Sequence, residues 1–226
     1  MNFTPNLTKN EWKYGMIDMC IGMLILPDLL YLALYGRVNA AQVNFLSYFA
    51  TAAVAVYLLR RFLKHNLAVA LAHPFWLSYR ACCGYLAQMA LSALVSIGIY
   101  AIAPSFANLN DANVNTMMQG DPRLMVMTVT ILAPIVEECF YRGLLFRGIY
   151  PRSPVAAWIL SVGLFAMVHV VGYLGTYSPL GLVLSFVQYL PAGLVLCITY
   201  QRTGTIMGPI LTHSLINLMA VYATLR

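Results

Sequence analysis

Acidic side chains are scarce in this chain: seven Asp and Glu among 226 residues, against 13 Lys and Arg. Charged residues of both signs make up only 9%, hydrophobic ones 61%, and the mean hydropathy is +0.76. Soluble domains carry roughly 25% charged residues, so a water-facing globule is excluded. The period-two alternation of a membrane β-barrel is absent as well. The chain reads as all-α, a polytopic integral membrane helix bundle, because a spanning helix needs about 20 mostly apolar residues. Its opening stretch, "MNFTPNLTKNEWKYG", lacks the charged, apolar, then small order of a cleaved signal, so the first span is expected to stay as a signal anchor. Cys20, Cys82, Cys83, Cys139 and Cys197 sit in apolar stretches with no CxxC spacing, which points to buried reduced thiols rather than zinc or redox work. Cys139 alone falls inside an acidic cluster.

The formal net charge of +6 raises the question of polyanion binding. Placement answers it: the basic residues are scattered and mostly flank apolar segments, so no nucleic-acid partner is expected. Apolar runs place about seven transmembrane helices near 14–36, 41–60, 76–103, 123–149, 155–175, 179–200 and 205–225, separated by Gly, Pro and one polar run, "NLNDANVNTMMQGDP". Residues 1–122 hold the first three spans and that polar loop. Residues 123–226 hold the last four, and the whole is one integral membrane domain. Lys9, Lys13, Arg60, Arg61, Lys64, Arg147, Arg152 and Arg202 collect on one side of such a bundle, with only Arg37, Arg123 and Arg226 on the other. The positive-inside rule then puts the N-terminus in the cytoplasm and the C-terminus outside. The sequons at Asn2 and Asn6 are fortuitous in that orientation. The stretch 62–73 is open between a surface amphipathic helix and a plain loop.

Ionisable groups inside a membrane are costly, and they mark pairs or function. Here they are Asp18 and Asp28 in the first span, Arg80 in the third, Glu137, Glu138 and Arg142 in the fourth, His169 in the fifth and His213 in the seventh. Asp18 is the better placed partner for Arg80, which could equally snorkel to the interface. Glu138 and Arg142 are four apart with the acid first, the favourable order for an ion pair on one helix face. Glu137 points about 100° away from that pair. An unpaired carboxylate is a candidate base, given donors or water to keep it charged. Pro134, three residues earlier, removes a helix hydrogen bond and can open the helix beside it.

Each histidine alone could be a structural hydrogen-bonder between helices. Depth adds to the case. At 1.5 Å per residue, Glu137 lies about 18 Å, His169 about 21 Å and His213 about 12 Å from the inner ends of their spans. Asn217 shares a helix face with His213. A carboxylate, two imidazoles and an amide in one layer could form a hydrolytic site. No GxSxG and no HExxH occurs, and Ser214 projects about 100° from His213 around the helix, so serine and zincin routes have no footing.

Three motifs carry a resemblance: "EECFYR" from Glu137 to Arg142, "FAMVH" from Phe165 to His169, and "HSLIN" from His213 to Asn217. In order and on separate helices, EExxxR, FxxxH and HxxxN resemble those of the CPBP family, the type II CaaX prenyl endopeptidases and the bacterial Abi-like bacteriocin-processing or immunity proteins. The resemblance covers roughly residues 123–226; spans one to three match only as generic membrane helices. It implies a glutamate-dependent intramembrane protease in which Glu137, helped by His169, activates water and His213 and Asn217 donate to the oxyanion. Glu138 and Arg142 would shape the site, with Phe165 supporting it. It leans toward no cofactor. A zinc held by Glu137, His169 and His213 is the alternative, because two histidines and a carboxylate with an open position make a competent zinc site. The implied partners are a hydrophobic or lipidated peptide or protein substrate and membrane lipids. The short extramembrane loops suit a bacterial or archaeal plasma membrane, where peptide pheromones, bacteriocin precursors or membrane-protein termini are the expected substrates. Two other readings use the same residues: a non-catalytic immunity or binding protein, and a proton-coupled transporter.

Overall fold

A computed structural model describes residues 7–224. Asn2, Asn6 and Arg226, which entered the reading of sequons and orientation, lie outside the described residues. Among the described residues ten helices follow one another: α1 Lys9–Leu24, α2 Leu26–Ala33, α3 Ala40–Leu58, α4 Arg60–Ala72, α5 Pro74–Ile102, α6 Leu109–Gly120, α7 Pro122–Ile149, α8 Pro154–Val171, α9 Pro179–Thr203 and α10 Met207–Thr224. No strand occurs among the described residues. Five of these helices (α2, α5, α7, α8 and α9) begin with proline in the first two positions. There its missing N–H is no loss and its fixed φ suits the helix.

Among the described residues, α3, α5, α7, α8 and α9 are long and apolar enough to cross a membrane, and the bent pair α1–α2 makes a sixth candidate. The protein is thus an integral multi-pass membrane protein. The first expected span differs in detail. It starts at Lys9 under a Thr8–Glu11 capping box, and it bends by 49° between α1 and α2, where Pro27 interrupts the helical hydrogen bonds. The expected seventh span, α10, is an 18-residue helix outside that set, because Pro209, His213 and Asn217 dilute its apolar character. The polar run before α7, read as a loop, is the helix α6. Asn108 caps it, accepting from the backbone N–H groups of Asn110 and Asp111.

Burial locates the centre of the bundle. Within its most apolar stretch α7 is 56% buried inside the protein, whereas α5 is 6% buried. Helix α7 is therefore the core helix, and α5 shows lipid most of its surface, including Phe75, Leu94 and Ile97. The main core joins Met19, Leu59, Val136, Leu144, Phe146 and Tyr200. The 62–73 stretch proves helical and well anchored. Asn66 of α4 accepts from the Ile206 N–H through Oδ1 and from the Thr205 hydroxyl through its carbonyl, which ties α4 to the start of α10.

The GxxxG spacing of Gly204 and Gly208, a close-packing pattern when it lies on one membrane helix, does not fall on one helix here. Gly204 ends α9 with φ of +67°, a left-handed cap that favours glycine, while Gly208 lies against the Thr203 side chain. The Asp18–Arg80 pairing is not made either. Arg80 lies over the Trp76 ring at 4.0 Å, and one Asp18 oxygen is buried without a partner.

Candidate active site

Helix α7 departs from regular α geometry on both sides of the two glutamates. Thr128–Leu132 and Cys139–Phe146 are π-helical, and Ala133–Glu138 between them is α-helical with Pro134 near its start. Such bulges cluster at functional sites because each frees backbone groups and re-aims side chains. The opening expected at Pro134 is therefore present as a π turn immediately before it.

Glu137, Glu138 and Arg142 are all buried, at 5%, 0% and 0% exposure. Glu138 is the centre of a buried network, although its Oε2 has no hydrogen-bond partner. Its Oε1 accepts from Arg142 Nη1 at 2.9 Å and from His213 Nδ1 at 2.9 Å. Arg142 continues the chain by donating from Nη2 to the Gly193 carbonyl at 2.9 Å. The expected pair on α7 is thus made, and it also fixes a histidine from α10, a link not read from the sequence.

Glu137 faces elsewhere. Its Oε1 accepts from the Tyr48 hydroxyl of α3 at 2.9 Å. Its Oε2 is buried with no hydrogen-bond partner and lies 4.0 Å from His213 Nε2. A cavity of about 440 Å³ opens here, bounded by Tyr48, Glu137, His169, Tyr189, His213 and Asn217. The layer expected for Glu137, His169, His213 and Asn217 is therefore assembled around one cavity.

Both imidazoles are held by Nδ1. His169 Nδ1 is 2.8 Å from the Phe165 carbonyl, a group that can only accept, so Nδ1 carries the proton. Nε2 of a neutral ring is then the nitrogen left to accept. His213 Nδ1 donates in the same way to the Glu138 carboxylate, again leaving Nε2. Phe165 has a double role. Its carbonyl orients His169, while its ring meets the His213 ring edge-on at 5.7 Å and carries the Arg142 guanidinium at 4.6 Å. Asn217 donates from Nδ2 to the Val129 carbonyl at 2.6 Å, inside the first π segment, and keeps its second amide hydrogen.

Several contributors were missed. Tyr48 belongs to a span read as a generic membrane helix. Tyr189 stacks on His169 at 4.2 Å; its hydroxyl donates to Asp111 at 2.7 Å and accepts from Asn110 Nδ2 at 2.9 Å. Helix α6 thereby closes one side of the cavity and is tied to the histidine beneath it. The Asn-rich composition of that run was the available signal. Cys139 packs with Val136 and Leu144 in the apolar core and does not line the cavity. Among the described residues no three His, Cys, Asp or Glu side chains cluster closely enough to hold a metal ion.

Fold and site together define a class: an integral multi-pass helical membrane protein whose core helix presents a buried carboxylate and two imidazoles to one cavity. Residues 119–219 match the model of the Rce1-like family, described as type II CAAX prenyl endopeptidase Rce1-like. Over 133 residues, 58% of this chain, the sequence is 26% identical to a Bacillus subtilis (strain 168) protein described as "Putative membrane peptidase YdiL". That alignment covers 49% of the relative, so the chain spans about half the length of the curated protein it matches. No solved structure matches. The matched segment contains all three motifs, Glu137–Arg142, Phe165–His169 and His213–Asn217.

Proposed function

We propose that this protein is an intramembrane endopeptidase that uses Glu137 as its general base. Glu137 Oε2 and His169 Nε2 would take the proton of a water as its oxygen attacks the substrate carbonyl. The 4.0 Å separation between Glu137 Oε2 and His213 Nε2 is a distance one water spans by bonding to both. The tetrahedral oxyanion would accept from His213 and from the second amide hydrogen of Asn217. The His213 ring, with Nδ1 on Glu138, donates from Nε2 when it carries both protons. The proton collected by Glu137 or His169 then passes to the leaving amine as the C–N bond breaks.

The observation that carries this reading is the unpartnered, buried Oε2 of Glu137 beside two Nδ1-anchored imidazoles on one cavity. The apolar surroundings favour a hydrophobic or lipidated peptide as substrate. A bacterial or archaeal plasma membrane, which rests on the short extramembrane loops, belongs to the same proposal, as does an orientation with the N-terminus cytoplasmic and the C-terminus outside, which rests on the Lys and Arg distribution. The test is cleavage of a quenched fluorescent peptide panel by the purified protein in detergent. The panel includes a farnesylated CaaX peptide and short hydrophobic leader peptides, each with and without a chelator. Cleavage that survives the chelator and disappears in Glu137→Gln supports the proposal. Loss with chelator and recovery with zinc would instead assign Glu137, His169 and His213 to a metal. Peptide binding without cleavage would favour the immunity-type reading.

A further inference from the structure

A second cavity, of about 920 Å³, lies between the start of α1 and the end of α7. Lys9 and Lys13 enter it from α1, Arg147 and Arg152 from the end of α7 and the turn beyond it, and Trp12 and Ile149 supply apolar wall. No acidic residue lines it among the described residues. The nearest acid on α1, Glu11, is turned back on the Thr8 backbone and hydroxyl in the capping box.

Four cations around one cavity repel one another. Lys9 and Lys13 add to this by sitting in the first turns of a helix, where the macrodipole already disfavours positive charge. Arg147 and Arg152 are better explained singly, since the C-terminal end of α7 favours cations. A general preference for basic residues at inner loops accounts for each residue separately. It does not account for two pairs well over 100 residues apart in sequence converging on the same cavity.

The convergence is also firmly built. Trp12 Nε1 donates to the Leu144 carbonyl of α7 at 3.1 Å, and Trp12 packs on Gly148, where a side chain would collide with the indole. Arg147 is 5% exposed and lies over the Phe62 ring of α4 at 5.3 Å. Lys13 and Arg152 are exposed at the rim.

We propose that this cavity binds the phosphate of an anionic phospholipid headgroup. Its position supports a lipid over a dissolved anion. It lies at the end of a 28-residue spanning helix, the level at which phospholipid phosphates stand. Its apolar wall suits the glycerol and upper acyl region, and Trp12 occupies the interfacial position that tryptophan favours. The lipid would thereby clamp α1 to the C-terminal end of the helix that carries Glu137 and Glu138.

The test uses the full chain in a neutral detergent. Thermal stability and lipids retained in native mass spectrometry are read with phosphatidylglycerol, phosphatidylcholine and sodium phosphate as separate probes. Phosphatidylglycerol is expected to stay bound and raise Tm, with little effect from the other two. The double variant K13Q/R152Q, both exposed positions, is expected to weaken that binding by at least about tenfold. The variant R61Q/K64Q removes the same charge from α4 and is expected to bind within about twofold of the unsubstituted chain. Equal retention of phosphatidylcholine, an equal Tm rise with sodium phosphate, or equal losses in the two variants would each overturn the headgroup site.

Discussion

Glu137 and Glu138 are neighbours in sequence and similarly buried, yet they occupy opposite kinds of surroundings. Toward α9 and α10, Glu138 is met by a guanidinium, an imidazole N–H and, one step on, the Gly193 carbonyl. Toward α3 and α6, Glu137 meets one tyrosine hydroxyl and a cavity. Each keeps one buried oxygen without a hydrogen-bond partner, but a 100° step around one helix separates an acid held against a guanidinium from an acid that faces a cavity. Burial alone does not make a carboxylate reactive; the distribution of donors around it decides.

The largest effect should come from breaking the closed side. In Arg142→Leu, Glu138 stays buried without its cation, and breaking such a pair costs about 3–5 kcal/mol. A large drop in Tm in detergent is expected, with proteolysis lost alongside. A near-normal Tm would mean that the closed side is not what holds α7 to α9. On the open side, Tyr48→Phe removes the one donor to Glu137. Hydrogen bonds to charged groups contribute about 1.5–3 kcal/mol, so kcat is expected to fall about tenfold or more, with Tm lowered less than in Arg142→Leu. A Tyr48→Phe protein with unchanged turnover would show that Glu137 needs no donor from α3. The smallest effect concerns the lid. Tyr189→Leu removes the ring stacked on His169, and an aromatic contact of this kind is worth about 0.5–1.5 kcal/mol. A few-fold fall in kcat follows, and Tyr189→Phe, which keeps the ring, should restore most of it. If Phe fails as badly as Leu, the hydroxyl bonds to α6 matter more than the stack.

The legibility of the site follows sequence separation. The Glu138–Arg142 pair could be read directly because helical geometry puts residues four apart side by side. The divergence of Glu137 was legible for the same reason. His213 on Glu138 and Tyr48 on Glu137 join residues 75 and 89 apart. No local period reports such contacts; only the shared depth of the histidines hinted at the first. For the fold, hydropathy was enough to show an all-helical membrane bundle. It left α10 short of the clear spans, because its site residues make it less apolar, and it misread α6, where a run of asparagines resembles a loop although Asn108 is a good helix cap. The π turns left no sequence mark except Pro134.

The most direct measurement compares Glu137→Gln with Glu138→Gln in the same detergent, reading peptide cleavage and Tm on each preparation. Glutamine keeps shape and most hydrogen bonding while removing the charge. The account predicts that Glu137→Gln loses at least about 100-fold in cleavage rate, a typical general-base contribution, at a Tm close to that of the unsubstituted chain. It predicts that Glu138→Gln lowers Tm markedly. Cleavage by Glu137→Gln at the original rate would contradict the account, whatever Glu138→Gln does.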